Sequence, residues 1–224
     1  MVENLKHITL SGQESFRMVN SKFPPTTLFD DVMDSEDFDM AYALQALTNP
    51  RILNELGDLN LIPKTEIPFG ITGANYAIAP FTHVNPQGSR FSDGSFGILY
   101  LADTAKTAIA ETRYHQENYL RNIEGLHYDT IDMRCIKVTF SADLIDAVAI
   151  DAIHAPDDYT LSRSFGAKVK QSGDAGIQYR SVRNDGAIYW ALMSPMYVES
   201  VVQTRHFEFI YDGRRTSTVR ELQL

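Results

Sequence analysis

Within two residues this chain changes from a buried-strand pattern to a helical one. Gly97-Ile98-Leu99-Tyr100-Leu101-Ala102 is a near-continuous apolar run, of the kind a strand buried on both faces carries. Asp103-Thr104 then offers an N-cap, and Ala105, Ala108, Ile109 and Thr112 recur at helical spacing in a segment running from Thr104 to about Leu120. A helix that begins where a strand ends must pack back onto the sheet it has left. The chain is thereby confined to layered architectures in which helix covers sheet. Such a junction also brings the strand end and the first helical turns to one place.

The flanking segments fit that frame. Ser15-Phe16-Arg17-Met18-Val19 alternates and predicts a short strand, ended by Phe23-Pro24-Pro25. Ser35 caps a predicted helix with Met40, Ala43, Leu44 and Leu47 on one face. Asn49-Pro50 starts a second, closed at Gly57. Residues 57–97 are rich in Gly, Pro and Asn, and read as one long irregular stretch held by Tyr76, Phe81, Phe91 and Phe96. The second half reads mostly as strand: 127–133 leading into Cys135–Phe140, then Ile177–Val182, Ala187–Met193 and Val198–Tyr211. Asn184-Asp185-Gly186 is a hairpin signal between two of these. A helix is expected from Asp158 to about Gln171, with Gly166 its weak point. The expected fold is a single α+β domain over 1–224, with a mixed or antiparallel sheet. A helical N-terminal extension is expected over about 1–60 and the core over about 75–210.

Composition narrows the function classes. The 224 residues carry a net charge of −9, and residues 1–60 alone hold four Lys/Arg against ten Asp/Glu. A chain this acidic is a poor candidate for gripping a nucleic-acid backbone, which needs clustered Lys and Arg. No apolar run approaches the ~20 residues that span a bilayer. The first residues carry no basic region followed by an apolar run, so no signal peptide is expected. The lone Cys135 excludes an internal disulfide, fits a reducing cytoplasmic setting, and reads as a packed strand thiol. His115, His127, His154 and His206 are scattered and predict no metal site. No Gly-x-Gly-x-x-Gly follows a strand, which disfavours a hydride-transferring dehydrogenase.

The candidate chemistry lies between Asn85 and His115. Arg90 precedes the strand, Tyr100 lies on it, and Glu111 lies two turns into the helix. Those types suit scission of a nicotinamide–ribose bond. A guanidinium fork binds pyrophosphate, an aromatic ring stacks on nicotinamide, and a carboxylate stabilises the positive charge that grows on the ribose. By type and spacing alone, Arg90 could equally be a surface arginine, Tyr100 a core tyrosine, and Glu111 a solvated glutamate paired with His115.

The surrounding words are more specific. Asn85-Pro86-Gln87-Gly88-Ser89-Arg90-Phe91-Ser92-Asp93-Gly94, Leu99-Tyr100-Leu101-Ala102-Asp103 and Thr107-Ala108-Ile109-Ala110-Glu111-Thr112-Arg113-Tyr114-His115 resemble the RES family. The resemblance extends to Phe16-Arg17-Met18-Val19 and to Tyr179-Arg180-Ser181-Val182-Arg183, so it runs from about residue 15 to about 210. It implies a fold related to ADP-ribosyltransferases and an activity that consumes NAD as substrate, with no cofactor. By position it makes Arg90, Tyr100 and Glu111 the catalytic candidates, with Arg90, Tyr100, Ser181 and, more weakly, Arg17 binding NAD. Ser181 would hydrogen-bond the ligand or orient Glu111, while Arg17 would be a second phosphate contact or a buried structural pair. Arg180 and Arg183 are similar guesses, and His83 is expected to be structural. The family pairing implies an Xre-type helix-turn-helix antitoxin. Compact members lack a leader as long as residues 20–80, which could cover the pocket, form a homodimer or meet the antitoxin. The resemblance favours an NAD-degrading toxin with phosphate or water as acceptor. The alternatives are a protein mono-ADP-ribosyltransferase and a silent NAD- or partner-binding module.

Overall fold

The computed structural model describes residues 5–21 and 57–223. The two helices expected between Ser35 and Gly57, and the Phe23-Pro24-Pro25 strand end, lie outside the described residues. The described chain is α+β. Seven strands form one mostly antiparallel sheet: β1 (His7–Asn20), β2 (Leu99–Ala102), β3 (Asp129–Asp146), β4 (Gly176–Arg180), β5 (Ile188–Leu192), β6 (Val198–Tyr211) and β7 (Thr216–Leu222). Their order is β1-β2-β5-β4-β3-β6-β7. β1 also pairs with β3 along nearly its whole length, so the ladder from β1 through β2, β5 and β4 to β3 closes on itself. Among the described strands the one parallel pairing joins β3 to β4, at Ile145↔Ile177 and Asp146↔Gln178.

Period-two alternation sorts the side chains into two cores. Leu99 and Leu101, Ile136 and Val138, and Trp190 and Leu192 share one core. Met133 and Cys135, Tyr179, and Tyr189 and Ala191 share the other, with Tyr100 packed against it. Among the described residues three helices cover these cores: α1 (Ala74–Thr82), α2 (Ala105–Arg121) and α3 (Thr160–Ser172). α1 packs Ala74, Ala77, Ile78 and Phe81 into the first core. α2 packs Ala105 and Ala108, and α3 packs Val169, into the second. The strand-to-helix switch forms as the sequence predicts: Thr104 Oγ1 accepts the Thr107 N–H at 3.2 Å and α2 begins at Ala105.

Several elements differ from expectation, each for a physical reason. The strand around Phe16 is 14 residues long because β1 lies along β3, whose partners extend from Met133 to Ile145. The stretch 57–97 is not wholly irregular, since α1 lies inside it with Pro80 in its interior. Proline at that position removes a backbone donor and disguises the helix, and burial of its apolar face outweighs the loss. Gly97 helps it pack: a Cβ there would sit 2.3 Å from the Pro80 carbonyl oxygen. Gly166 is a required close contact, not a weak point. A Cβ would lie 2.0 Å from the Phe91 carbonyl oxygen, so only glycine lets α3 approach the loop carrying Arg90. β4 and β5 do form a hairpin, but over a longer loop than a two-residue turn, from Ser181 to Ala187.

Candidate active site

A cleft of about 970 Å³ opens beside β2, between the Arg90 loop, α2 and the start of α3. Its walls include Arg17, Arg90, Tyr100, Glu111, Tyr159 and Arg163. That size matches sites that enclose ligands of drug size and above. Four of the sequence candidates therefore line one cavity: Arg17, Arg90, Tyr100 and Glu111. The fifth, Ser181, touches it through Glu111.

Glu111 reaches the cleft from the second turn of α2, where the helix has left the strand end. Its Oε1 accepts a hydrogen bond from Ser181 Oγ at 3.0 Å. Ser181, 7% exposed, follows β4 directly. Its oxygen also accepts the N–H groups of Arg183 at 3.2 Å and Asn184 at 3.1 Å. Two donors already point at that oxygen, so its own proton goes to Glu111. The loop is tied back to α2 by Asn184, whose Nδ2 donates to Thr107 Oγ1 at 2.8 Å. The hairpin signal in the sequence thus also docks the Ser181 turn on the helix that carries Glu111.

Arg90 is 8% exposed. Its Nη1 donates to the carbonyls of Ile153 at 3.2 Å and Ala155 at 2.9 Å. The guanidinium lies over Tyr159, 4.6 Å from the ring centroid, and makes no ion pair with a carboxylate among the described residues. Carbonyl dipoles and a ring face hold the cation and leave its charge uncancelled.

Tyr100 braces the same loop. Its hydroxyl shares a hydrogen bond with Ser89 Oγ at 2.8 Å and accepts the Phe91 N–H at 3.0 Å, gripping both neighbours of Arg90. Burial pushes its pKa up to about 12, so the phenol stays protonated and can donate to Ser89. Phe91 stacks toward the ring with centroids 6.4 Å apart and planes 19° from parallel. Arg17 Nη1 donates to the Tyr100 carbonyl at 3.2 Å, and burial lowers its pKa. Arg17 thus joins the cleft wall without a carboxylate partner among the described residues.

Of the other residues weighed from the sequence, Arg180 and Arg183 lie outside the cleft lining and His83 lies on it. Arg180 pairs with Asp151 at 2.6 Å on the surface. Arg183 Nη2 bonds the Pro156 carbonyl and sits 3.1 Å from Asp157 Oδ1, with its guanidinium 3.4 Å over the Tyr114 ring. His83 is on the wall, with Nδ1 3.2 Å from Thr82 Oγ1. Residue-by-residue reading did not single out Tyr159, Arg163, Tyr179 or Tyr189. The four come from three separate elements, and only the Tyr159–Arg163 spacing, one helical turn, was a local signal. Among the described residues no group of three His, Cys, Asp or Glu could hold a metal ion.

The sheet, the strand-to-helix junction and the arginine–tyrosine–glutamate–serine arrangement together define a class of protein. The RES domain family model matches residues 67–212, and the chain belongs to that family. The chain is also similar to the uncharacterized protein y4oC of Sinorhizobium fredii, 27% identical over 206 residues that cover 91% of this chain and 85% of that protein. Among solved structures it is similar to the crystal structure of the M. tuberculosis MbcT–MbcA toxin–antitoxin complex. That likeness has a TM-score of 0.37 and 14% identity, covering 53% of this chain and 73% of the matched one.

Proposed function

We propose that this protein cleaves NAD at the nicotinamide–ribose bond and acts as the toxin of a toxin–antitoxin pair. The observation that supports it best is the Glu111 carboxylate, aligned by the Ser181 proton, in one cleft with two arginines that have no carboxylate partner among the described residues. As the C–N bond breaks, its electron pair leaves with nicotinamide and positive charge grows on the ribose. A fixed carboxylate favours that charge in the transition state over the ground state. The Ser181 hydrogen bond occupies part of Oε1 and holds the group's orientation. Arg90 and Arg17 supply charge for the pyrophosphate, and Tyr100 holds the Arg90 loop. An oxygen of phosphate or water then bonds to the ribose carbon, and with water a proton passes to solvent.

The toxin role and an Xre-type helix-turn-helix antitoxin rest on membership of the RES family. A homodimer is the other partner the reading admits. No helix among the described residues is long and apolar enough to cross a membrane.

Incubation of the purified chain with NAD, with and without inorganic phosphate, tests the reaction. Nicotinamide release is expected. A phosphorylated ADP-ribose identifies phosphate as acceptor and free ADP-ribose identifies water, whereas label carried onto protein would make the chain a protein ADP-ribosyltransferase. Absence of release would overturn every enzymatic reading.

A further inference from the structure

α3 reaches into the cleft with two side chains. Tyr159 precedes its first turn and Arg163 lies one turn on, the Arg163 N–H donating to the Tyr159 carbonyl at 2.8 Å. Both line the cleft. The Arg163 guanidinium is spread along the Arg90 loop: Nε donates to the Ser89 carbonyl at 3.0 Å and Nη2 to the Gln87 carbonyl at 2.8 Å. It also lies 5.9 Å from the centroid of the same Tyr159 ring that sits 4.6 Å from the Arg90 guanidinium.

Two guanidiniums are therefore held against one ring, in one cavity, and neither forms an ion pair with a carboxylate among the described residues. Nη1 of Arg163, and Nε and Nη2 of Arg90, make no hydrogen bond among the described residues, so donors remain for a ligand. Like charges in a partly dehydrated cleft repel, and a fold that fixes them side by side favours an anion able to meet both. Carbonyl anchors on both cations, with the ring beside them, hold their positions before the anion arrives, which limits the ordering cost of binding.

We propose that Tyr159 and Arg163 form, with Arg90, a two-guanidinium jaw that takes the pyrophosphate of the dinucleotide, with Tyr159 as the positioning residue and Arg163 as a further phosphate contact beside Arg90 and Arg17. This rests on the NAD-cleaving reading. It separates the roles of residues: the jaw governs binding, while Glu111 governs scission. Loss of the jaw raises KM for NAD and leaves kcat little changed, because the jaw contacts groups whose charge does not change in the reaction.

The test compares wild type with Arg163→Lys, Arg163→Gln, Tyr159→Phe and Tyr159→Leu. Nicotinamide release is measured from NAD and from nicotinamide mononucleotide, which has one phosphate. Inorganic pyrophosphate binding is measured separately by calorimetry. Removing one charge-assisted contact is worth about a tenfold change in affinity or more. Arg163→Gln is thus expected to raise KM for NAD and weaken pyrophosphate binding by about tenfold, with a smaller effect on the mononucleotide. Arg163→Lys, a point charge that lacks the fork, should recover part of the loss. Tyr159→Leu should resemble Arg163→Gln, and Tyr159→Phe, which keeps a ring beside both guanidiniums, should recover most of what Tyr159→Leu loses. An unchanged KM and pyrophosphate affinity in Arg163→Gln would overturn the jaw, provided wild type releases nicotinamide. Equal losses on NAD and the mononucleotide, or a fall confined to kcat, would also overturn it. If wild type binds pyrophosphate through Arg163 but releases no nicotinamide, the NAD-cleaving reading fails and the anion jaw stands.

Discussion

A serine hydroxyl has one proton to give, and at Ser181 its neighbours set where that proton goes. Two backbone N–H groups point at the oxygen, so the proton faces Glu111. The two residues should then fail differently when altered. Glu111→Gln keeps the size and can still accept from Ser181, but loses the charge that meets the ribosyl cation. Nicotinamide release should fall by roughly a hundredfold to a thousandfold, the scale seen when a transition-state charge partner is removed. Ser181→Ala keeps the charge and loses its alignment, and also strands the N–H groups of Arg183 and Asn184. Its turnover should fall less, by roughly tenfold to a hundredfold, with a measurable loss of stability. Steady-state kinetics beside thermal unfolding separates the two cases. Ser181→Ala as damaging as Glu111→Gln, with stability intact, would mean that the serine contacts the reacting atoms itself. By its own residues Ser181 is a hydroxyl at a strand end between two arginines, with nothing local to mark it. The family words pointed to it and Asn184-Asp185-Gly186 marked a turn nearby, but the direction of its hydrogen bond depends on the Arg183 and Asn184 N–H groups closing on its oxygen, which the pattern does not specify.

Among the elements, α3 is the clearest case of a function that the sequence pattern concealed. A glycine inside a helical run reads as a flaw, because glycine costs helix stability. Here it is what lets the helix touch the Arg90 loop, with Phe91 packed against it. Adding one methyl group at Gly166 must push helix and loop apart, since the atom it meets is backbone and cannot rotate away. Gly166→Ala should lower stability by about 2 kcal/mol or more, as overpacking does. For a chain of this size that is a drop of roughly 4–8 °C in Tm, read by calorimetry. Because Arg163 bonds Ser89 and Gln87 from the same helix, the variant should also lose affinity for pyrophosphate. An unshifted Tm would show that the helix can slide. The elements that were legible were those with a strong local period: β6 is found at its expected ends, Val198 and Tyr211, and α2 follows its Thr104 cap. α1 was hidden by Pro80, and β7 by a polar sequence, Thr216 to Leu222, that reads as no half-buried strand. Both are held by tertiary partners: α1 by its core, β7 by the ladder to β6 from His206 to Tyr211.

At the scale of the whole molecule, one histidine links acid stability to the site. The His154 ring joins the Asp151–Ile153 turn to the end of β4: Nδ1 lies 2.9 Å from the Ile150 carbonyl and Nε2 takes the Arg180 N–H at 3.0 Å. A carbonyl can only accept and an N–H can only donate, so the ring is neutral with its proton on Nδ1. Burial lowers its pKa below the usual histidine value. The Ile150 carbonyl opposes this, Arg180 and Arg90 add to it, and Asp151 opposes it. Since the folded pKa lies below the unfolded value, the unfolded chain binds more protons as pH falls toward and below about 6.5. The histidine's contribution is therefore complete above that pH and is lost on acidification. The same turn and the residues just after it supply the Ile153 and Ala155 carbonyls that anchor Arg90. Protonation would set two N–H donors against each other and pull on that anchor, so substrate affinity should weaken in the same window. Chemical unfolding followed from pH 7.5 to pH 5 should show stability falling with acid. His154→Gln, which can still accept from the Arg180 N–H through its amide oxygen but does not titrate, should flatten that dependence and start from a lower plateau. KM for NAD should rise toward pH 5 in wild type and rise less in the variant. Parallel pH profiles for the two proteins would remove His154 as the link and leave the acid sensitivity to His115, which lines the cleft and whose pKa burial also lowers, and to the carboxylates.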